Sequence, residues 1–221
     1  MKRGIFAHVQ RGVYAVVPLE ADPATFQPDP ILVTLRTLGP EYAFSHFSAL
    51  VLHGAEHQVH ETVHVTKPHV RSRKLRVGAT RVHVHTTESL LWETATMMLR
   101  RGRDKLLVTT PERTLVDLVG LPAAKQDYAE VVEAFRSLLP RVNPSELARA
   151  TELWGNRTTH ARMGHLVARH AQERSTEFED AFKVSRSNLA PLQSPVYFGT
   201  RPNDPANRFD RAFNLVYPET A

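Results

Sequence analysis

The sequence predicts an α+β protein, and three observations carry that reading. Period-two alternation of apolar and polar residues concentrates in the first half of the 221-residue chain, helical periodicity fills most of the second half, and turn residues punctuate both. The expected architecture is a short N-terminal β-hairpin, then a mixed domain with a small sheet and a helical C-terminal half. The expected division falls at residue 22, with 1–22 as the hairpin and 23–221 as the α+β domain.

The hairpin rests on two β-type runs, Ile5 to Val9 and Val13 to Val17, around Gln10-Arg11-Gly12, where Gly12 supplies the positive φ of a tight turn. Pro18 ends the second run, and "ADPATFQPDP" reads as an irregular crossing segment. Ile31 to Leu38 is apolar and helical or mixed. After Gly39-Pro40, the residues Phe44, Phe47 and Val51 recur at helical spacing, and Gly54 stands where a left-handed C-cap would stop the helix. Val63 and Val65 alternate with Thr62, His64 and Thr66, and Val82 and Val84 alternate with Arg81, His83 and His85, which predicts two half-buried strands. The stretch between them reads as a solvated basic loop: Lys67, Arg71, Arg73, Lys74, Arg76 and Arg81 occur with no acid from Thr62 to Thr87.

A second hairpin turning near Arg101 to Arg103 is expected from the run Leu106-Leu107-Val108, with a helix over Leu90 to Arg100 as the alternative. Helices follow at Asp127 to Leu139, Pro144 to Trp154, Thr159 to Gln172 and Thr176 to Arg186. Asn143 and Ser175 are of N-cap type. "SPVYFGT" and "RAFNLVYP" read as closing strands.

One stretch, "VTTPERTLVDLVGLP", poses the functional question most sharply. If Thr110 caps a helix and Pro111 opens it, Glu112 falls in the first turn, where the helix dipole favours a carboxylate. At about 100° per residue, Leu115, Val116, Leu118 and Val119 share a stripe while Arg113 and Asp117 lie about 40° apart on the opposite side and can pair. Glu112 and Asp117 lie about 140° apart and cannot converge on one reacting atom by themselves. This geometry favours architecture over chemistry.

Composition bounds the remaining possibilities. A net charge of +5, from 28 Lys and Arg against 23 Asp and Glu, permits contact with nucleic acid. The absence of cysteine excludes disulfides, thiolate nucleophiles and zinc sites of the cysteine type. No apolar run of about 18 residues occurs and the N-terminus lacks a signal-peptide core, so a cytoplasmic protein without a membrane segment is expected. His53, His57, His60 and His64 are spaced as a metal-binding row would be on one continuous helix, but Gly54 breaks that helix, and no bound metal or other cofactor is expected. Phosphate-binding glycine patterns, a Gly-x-Ser-x-Gly elbow and a His-Glu-x-x-His motif are all missing.

Several pieces taken in order resemble the AbiEi family, the antitoxin and regulator partners in bacterial abortive-infection toxin–antitoxin systems. They are "RGVYAVVP" at Arg11 to Pro18, "FSHFSALVLHG" at Phe44 to Gly54, "TVHVTKP", "TPERTLVDLVGLP", and "NRTTHARMGHLV" at Asn156 to Val167. The most specific are the "ERTLVDL" block and the late Arg162-x-Gly164-x-Leu166 piece. The structural signature is thus Thr110, Glu112, Arg113, Asp117, Arg162 and Gly164.

The resemblance implies a winged-helix DNA reader ahead of a larger α+β antitoxin domain, and a nucleotidyltransferase-like toxin as partner. It also implies autoregulation through the promoter of the protein's own operon. "RGVY" would belong to the wing strand after the helix-turn-helix, and only some ten residues precede it here, so the recognition helix is expected upstream of Met1. Arg11 at the hairpin tip and the basic residues Arg71, Arg73, Lys74 and Arg76 would then contact duplex DNA at its phosphates, positioning rather than specifying. Two other readings stay open: a metal-dependent nuclease or transferase using Glu112, Asp117 or Glu179 with a histidine, and a protein-only interaction module.

Overall fold

The computed structural model describes residues 6–55, 61–88, 92, 94–122, 127–189 and 194–219. It is of the α+β class, and the chain splits into two compact units, Met1–Ser48 with Gln58–Val108 and Ala49–His57 with Thr109–Ala221.

The first unit opens with strands β1 (Phe6–Gln10) and β2 (Val13–Val16), paired antiparallel with Phe6 opposite Val16 and His8 opposite Tyr14. Gly12 takes φ +78° in the turn, the conformation that favours glycine there. The hairpin's inner face is set against the β-turn at Gly78. A Cβ placed there would lie 2.4 Å from the Val9 carbonyl oxygen. Helix α1 (Pro30–Thr37) starts at Asp29, whose carboxylate accepts from the Ile31 N–H at 2.9 Å. Asp29 also pairs with Arg101 at 2.8 Å, and Arg36 pairs with Asp104, so two ion pairs tie α1 to the later hairpin.

A six-stranded sheet forms the body of this unit, in the order β5-β6-β4-β3-β8-β7. Its strands are β3 (Ala43–Phe44), β4 (Thr62–Pro68), β5 (Arg73–Val77), β6 (Thr80–Thr87), β7 (Thr96–Arg101) and β8 (Asp104–Thr109). β4 and β6 run parallel and in register, Val63 beside Val82 and His64 beside His83. Val63, Val65, Val82 and Val84 are all 2% exposed or less, as their alternation requires.

Two expectations need correction here. Phe44 lies in β3, not in the helix; α2 (His46–Leu52) begins after it. Ala43 and Phe44 are fully buried between β4 and β8, and a short apolar run of this kind does not reveal by periodicity whether it is strand or helix. The basic stretch is not simply a loop, since Arg73–Val77 is an edge strand antiparallel to β6. Its backbone gains a ladder whatever its side chains are, and Lys and Arg suit an edge because they block further pairing. The expected second hairpin does form, as β7–β8 with Gly102 at φ +60° in its turn, and from Thr96 on it excludes the alternative of a helix over Leu90 to Arg100; residues 89–91 and 93 lie outside the described residues.

The second unit holds α3 (Pro111–Val119), α4 (Tyr128–Leu138), α5 (Pro144–Trp154), α6 (Arg157–His170) and α7 (Glu179–Ser187). A three-stranded sheet joins them, ordered β10-β11-β9, with β9 (Val196–Tyr197), β10 (Asn207–Asp210) and β11 (Leu215–Pro218). β9 and β11 match the expected closing strands, and β10 was not foreseen. Asp127, Asn143 and Asn156 cap α4, α5 and α6 with their side chains. Ser175 does not cap α7. That helix starts after Phe178, which makes no side-chain cap bond but is only 1% exposed, so apolar burial sets the start where capping chemistry was expected to.

Candidate functional site

The block around α3 is a structural joint. Thr110 accepts from the Arg113 N–H at 3.4 Å and Pro111 opens the helix. Leu115, Val116, Leu118 and Val119 form the buried stripe, but the opposite side is covered too: the Arg113 and Asp117 side chains are 8% and 9% exposed. Arg113 Nε donates to Asp117 Oδ1 at 2.7 Å, and its guanidinium lies 4.1 Å above the Trp154 ring of α5. Burial pushes the Asp117 carboxyl up, against the pull of Arg113. Glu112 reaches α5 as well, its Oε1 accepting from the Asn143 N–H at 2.8 Å.

Arg162 of α6 closes the other end of α3. Its Nη1 donates to the carbonyls of Val119 and Leu121 at 2.7 and 2.6 Å, and Nη2 donates to Tyr197 O at 2.6 Å. A cation belongs at a helix C-terminus, where carbonyls lack partners. Burial pushes this guanidinium down to about 10, still charged at neutral pH. Gly164 is required by packing, because a Cβ there would lie 2.1 Å from the Phe213 ring. The next residue, the fully buried His165, bridges Asp210 Oδ2 at 2.7 Å and the Tyr128 hydroxyl at 2.9 Å. The sequence offered no signal for this link, which joins α6 to α4 and β10.

The basic residues of the first unit divide by sheet face. Lys74 stands opposite His83 and Arg76 opposite Arg81, so these four share one face of the sheet. Arg73 stands opposite Val84 and shares the other face with Leu75 and Val77. Arg11, Arg71, Arg73, Lys74 and Arg76 are all exposed. The expected loop cluster is therefore an alternating edge, and Arg73 does not join Lys74 and Arg76.

The continuous helix that a row of His53, His57, His60 and His64 would need is not present, since α2 ends at Leu52 and His64 lies in β4. His53 turns its Nε2 to the Thr109 carbonyl at 2.8 Å, Gly54 stands at φ +66° beyond the end of α2, and His57 and His60 lie outside the described residues. A different set comes together on the face that carries Lys74 and Arg76. His64 Nδ1 lies 2.9 Å from His85 Nε2, His46 stacks on His85 with ring centroids 3.8 Å apart, and His83 lies 3.9 Å from His85. One nitrogen from each of His46, His64 and His85 falls within 4.8 Å of the others, the sole such group of metal-capable side chains among the described residues. Part of the signal was present in the sequence as two alternating runs, Val63-His64-Val65 and Val82-His83-Val84-His85, which put His64 and His85 on the polar faces of their strands.

The acids considered for catalysis do not meet. Glu112 serves Asn143, Asp117 serves Arg113, and Glu179 pairs with Lys183 at 2.8 Å. Fold and site together define an α+β protein whose signature residues brace a helical core. The model of the AbiEi antitoxin C-terminal domain matches residues 42–169, and the chain belongs to that family. Among solved structures the chain is similar to the RV2827C protein from Mycobacterium tuberculosis, with a TM-score of 0.65 at 17% identity over 97% of this chain and 75% of that one. That likeness shows the fold. No functionally curated protein matches, and among the described residues no helix is long and apolar enough to cross a membrane.

Proposed function

We propose that this protein is an antitoxin and transcriptional autoregulator of a bacterial toxin–antitoxin system. It acts in the cytoplasm, binds duplex DNA at the promoter of its own operon, and counteracts a nucleotidyltransferase-like toxin. The family match over residues 42–169 carries the reading. Two features support it: the signature residues Thr110, Glu112, Arg113, Asp117, Arg162 and Gly164 hold the scaffold together, and the exposed basic edge of β5 offers phosphate contacts. Arg11 at the tip of a wing-like hairpin (1–22), with Arg71, Arg73, Lys74 and Arg76, meets the DNA backbone and sets register without reading bases. The protein is a binding partner, not a catalyst.

Co-expression with a nucleotidyltransferase-like toxin tests the antitoxin half, and restored growth is the expected outcome. The DNA half is tested by fluorescence anisotropy against promoter and scrambled duplexes. Growth rescue without DNA binding at low salt would reduce the protein to a protein-only partner, and failure of rescue would overturn the antitoxin reading.

A further inference from the structure

The histidine cluster of the first unit takes no part in the antitoxin and DNA contacts proposed above. We propose that His46, His64 and His85 form a binding site for a divalent first-row transition cation, with zinc as the fitting ion. The donors come from three elements that the sheet fixes in place. The parallel register sets Thr66 beside His85 and His64 beside His83, so His64 and His85 project from neighbouring strands on one face. His46 enters from the β3–α2 corner, which two hydrogen bonds lock to β4 at His64: Ser45 N–H to the His64 carbonyl at 3.1 Å, and His64 N–H to Ser48 Oγ at 2.8 Å.

The corner carries a mark of strain. His46 has φ +52°, a region that costs a non-glycine residue about 1 kcal/mol or more and that collects at functional positions. Its Nδ1 lies 2.9 Å from Ser45 Oγ, the arrangement in which a second partner orients a histidine for coordination through Nε2. A tetrahedral zinc with bonds of about 2.0–2.1 Å separates its donor nitrogens by about 3.3 Å. The three nitrogens, all within 4.8 Å of one another, reach that spacing by side-chain rotations of the order of 1 Å. The donor set is imidazole without thiolate or carboxylate, which favours zinc, copper, nickel or cobalt over magnesium and calcium.

Binding uses the nitrogen lone pairs of neutral rings, and the proton that His64 and His85 share across 2.9 Å moves, through solvent, to the other nitrogen of the ring that carried it, so that both facing nitrogens are free to coordinate. No redox step is involved. Three protein donors leave a coordination position for water or for the neighbouring His83. Lys74 and Arg76, on the same face, oppose the cation, but both are exposed and screened by solvent; Arg81 is paired with Glu61 at 2.5 Å.

The test is calorimetric titration of untagged protein with zinc, alongside cobalt absorption spectra and melting curves. Expected are one equivalent of zinc, cobalt bands of tetrahedral nitrogen coordination, a melting temperature raised by zinc and not by magnesium, and at least about a hundredfold weaker binding in two variants. These are His46→Asn, which tolerates the positive φ, and His85→Gln, on a half-buried strand position. The exposed His69→Asn is the control and keeps wild-type affinity. An unchanged aqueous cobalt spectrum in the wild type, equal zinc binding by the His85→Gln and wild-type proteins, or an equal loss in His69→Asn would overturn the site. Because the wild-type cobalt spectrum needs no variant, a misfolded variant does not remove the test.

Discussion

Arg113 and Asp117 illustrate how burial changes the worth of a single contact. On an exposed helix an arginine four residues before an aspartate contributes a few tenths of a kcal/mol. Here both side chains are under 10% exposed and Trp154 covers the guanidinium, so removing one partner strands a buried charge. Arg113→Ala or Asp117→Ala is expected to cost about 3–5 kcal/mol, and the double variant clearly less than the sum. Urea denaturation of the four proteins measures this, and strict additivity would show that the two do not act as a pair. Histidines of the second unit impose a pH dependence. Burial pushes His170 down to about 4, with Arg136 reinforcing it, and lowers His53 and His160 in the same sense. The unfolded chain takes up protons on these groups below about 6.5, while folded His170 does so only near 4. The contribution of His170 to stability is full above about 6.5 and is lost as pH falls toward 4, and those of His53 and His160 are lost in the same direction. His170→Gln is expected to flatten the melting temperature against pH across that window; a slope equal to wild type would assign the acid sensitivity elsewhere.

At the scale of elements, the N-terminal hairpin depends on the sheet. Phe6, Tyr14 and Val16 on its outer face are 61–65% exposed, while Val9 and Val17 are under 9%, so one face alone is anchored, and two strands are marginal unsupported. The Val9 carbonyl of β1 approaches Gly78 closely, and Gly78 also takes φ +60°. Gly78→Ala combines a strained backbone with a Cβ 2.4 Å from that carbonyl oxygen. We expect a loss of about 1–3 kcal/mol, together with faster amide exchange in β1 and β2 but not in α3 to α6. Unchanged exchange in the hairpin would mean that another contact holds it.

The molecule as a whole carries +5, and that charge bears on DNA affinity more than on the fold. If exposed lysine and arginine meet phosphates, the logarithm of affinity falls linearly with the logarithm of salt, by about 0.9 for each phosphate neutralised. Replacing Lys74 and Arg76 together with glutamine is expected to lower the slope by about 2 and to weaken promoter and scrambled duplexes alike. Arg73→Gln, on the opposite sheet face of the same edge strand, is expected to weaken both duplexes as well; an affinity equal to wild type would confine the contact to the face of Lys74 and Arg76. Anisotropy titrations at several salt concentrations read both results.

The sequence by itself determined the α+β class, the two hairpins, the caps of α3 and α5 and the pairing of Arg113 with Asp117, because each is written in spacing over a few residues. A cap needs its neighbour three positions on, and a helix face repeats within four. Tertiary structure alone decided that Arg73–Val77 would become an edge strand, that Phe44 would be strand, that burial of Phe178 would start α7, and that Arg162 would serve carbonyls some forty residues away. It also decided which histidines meet. A strand's periodicity tells which residues share a face but not which strand lies beside it, and only the parallel pairing of β4 with β6 brings His64 to His85. The local code fixes where a side chain points along its own element, whereas its neighbours are set by how distant segments close around a shared core.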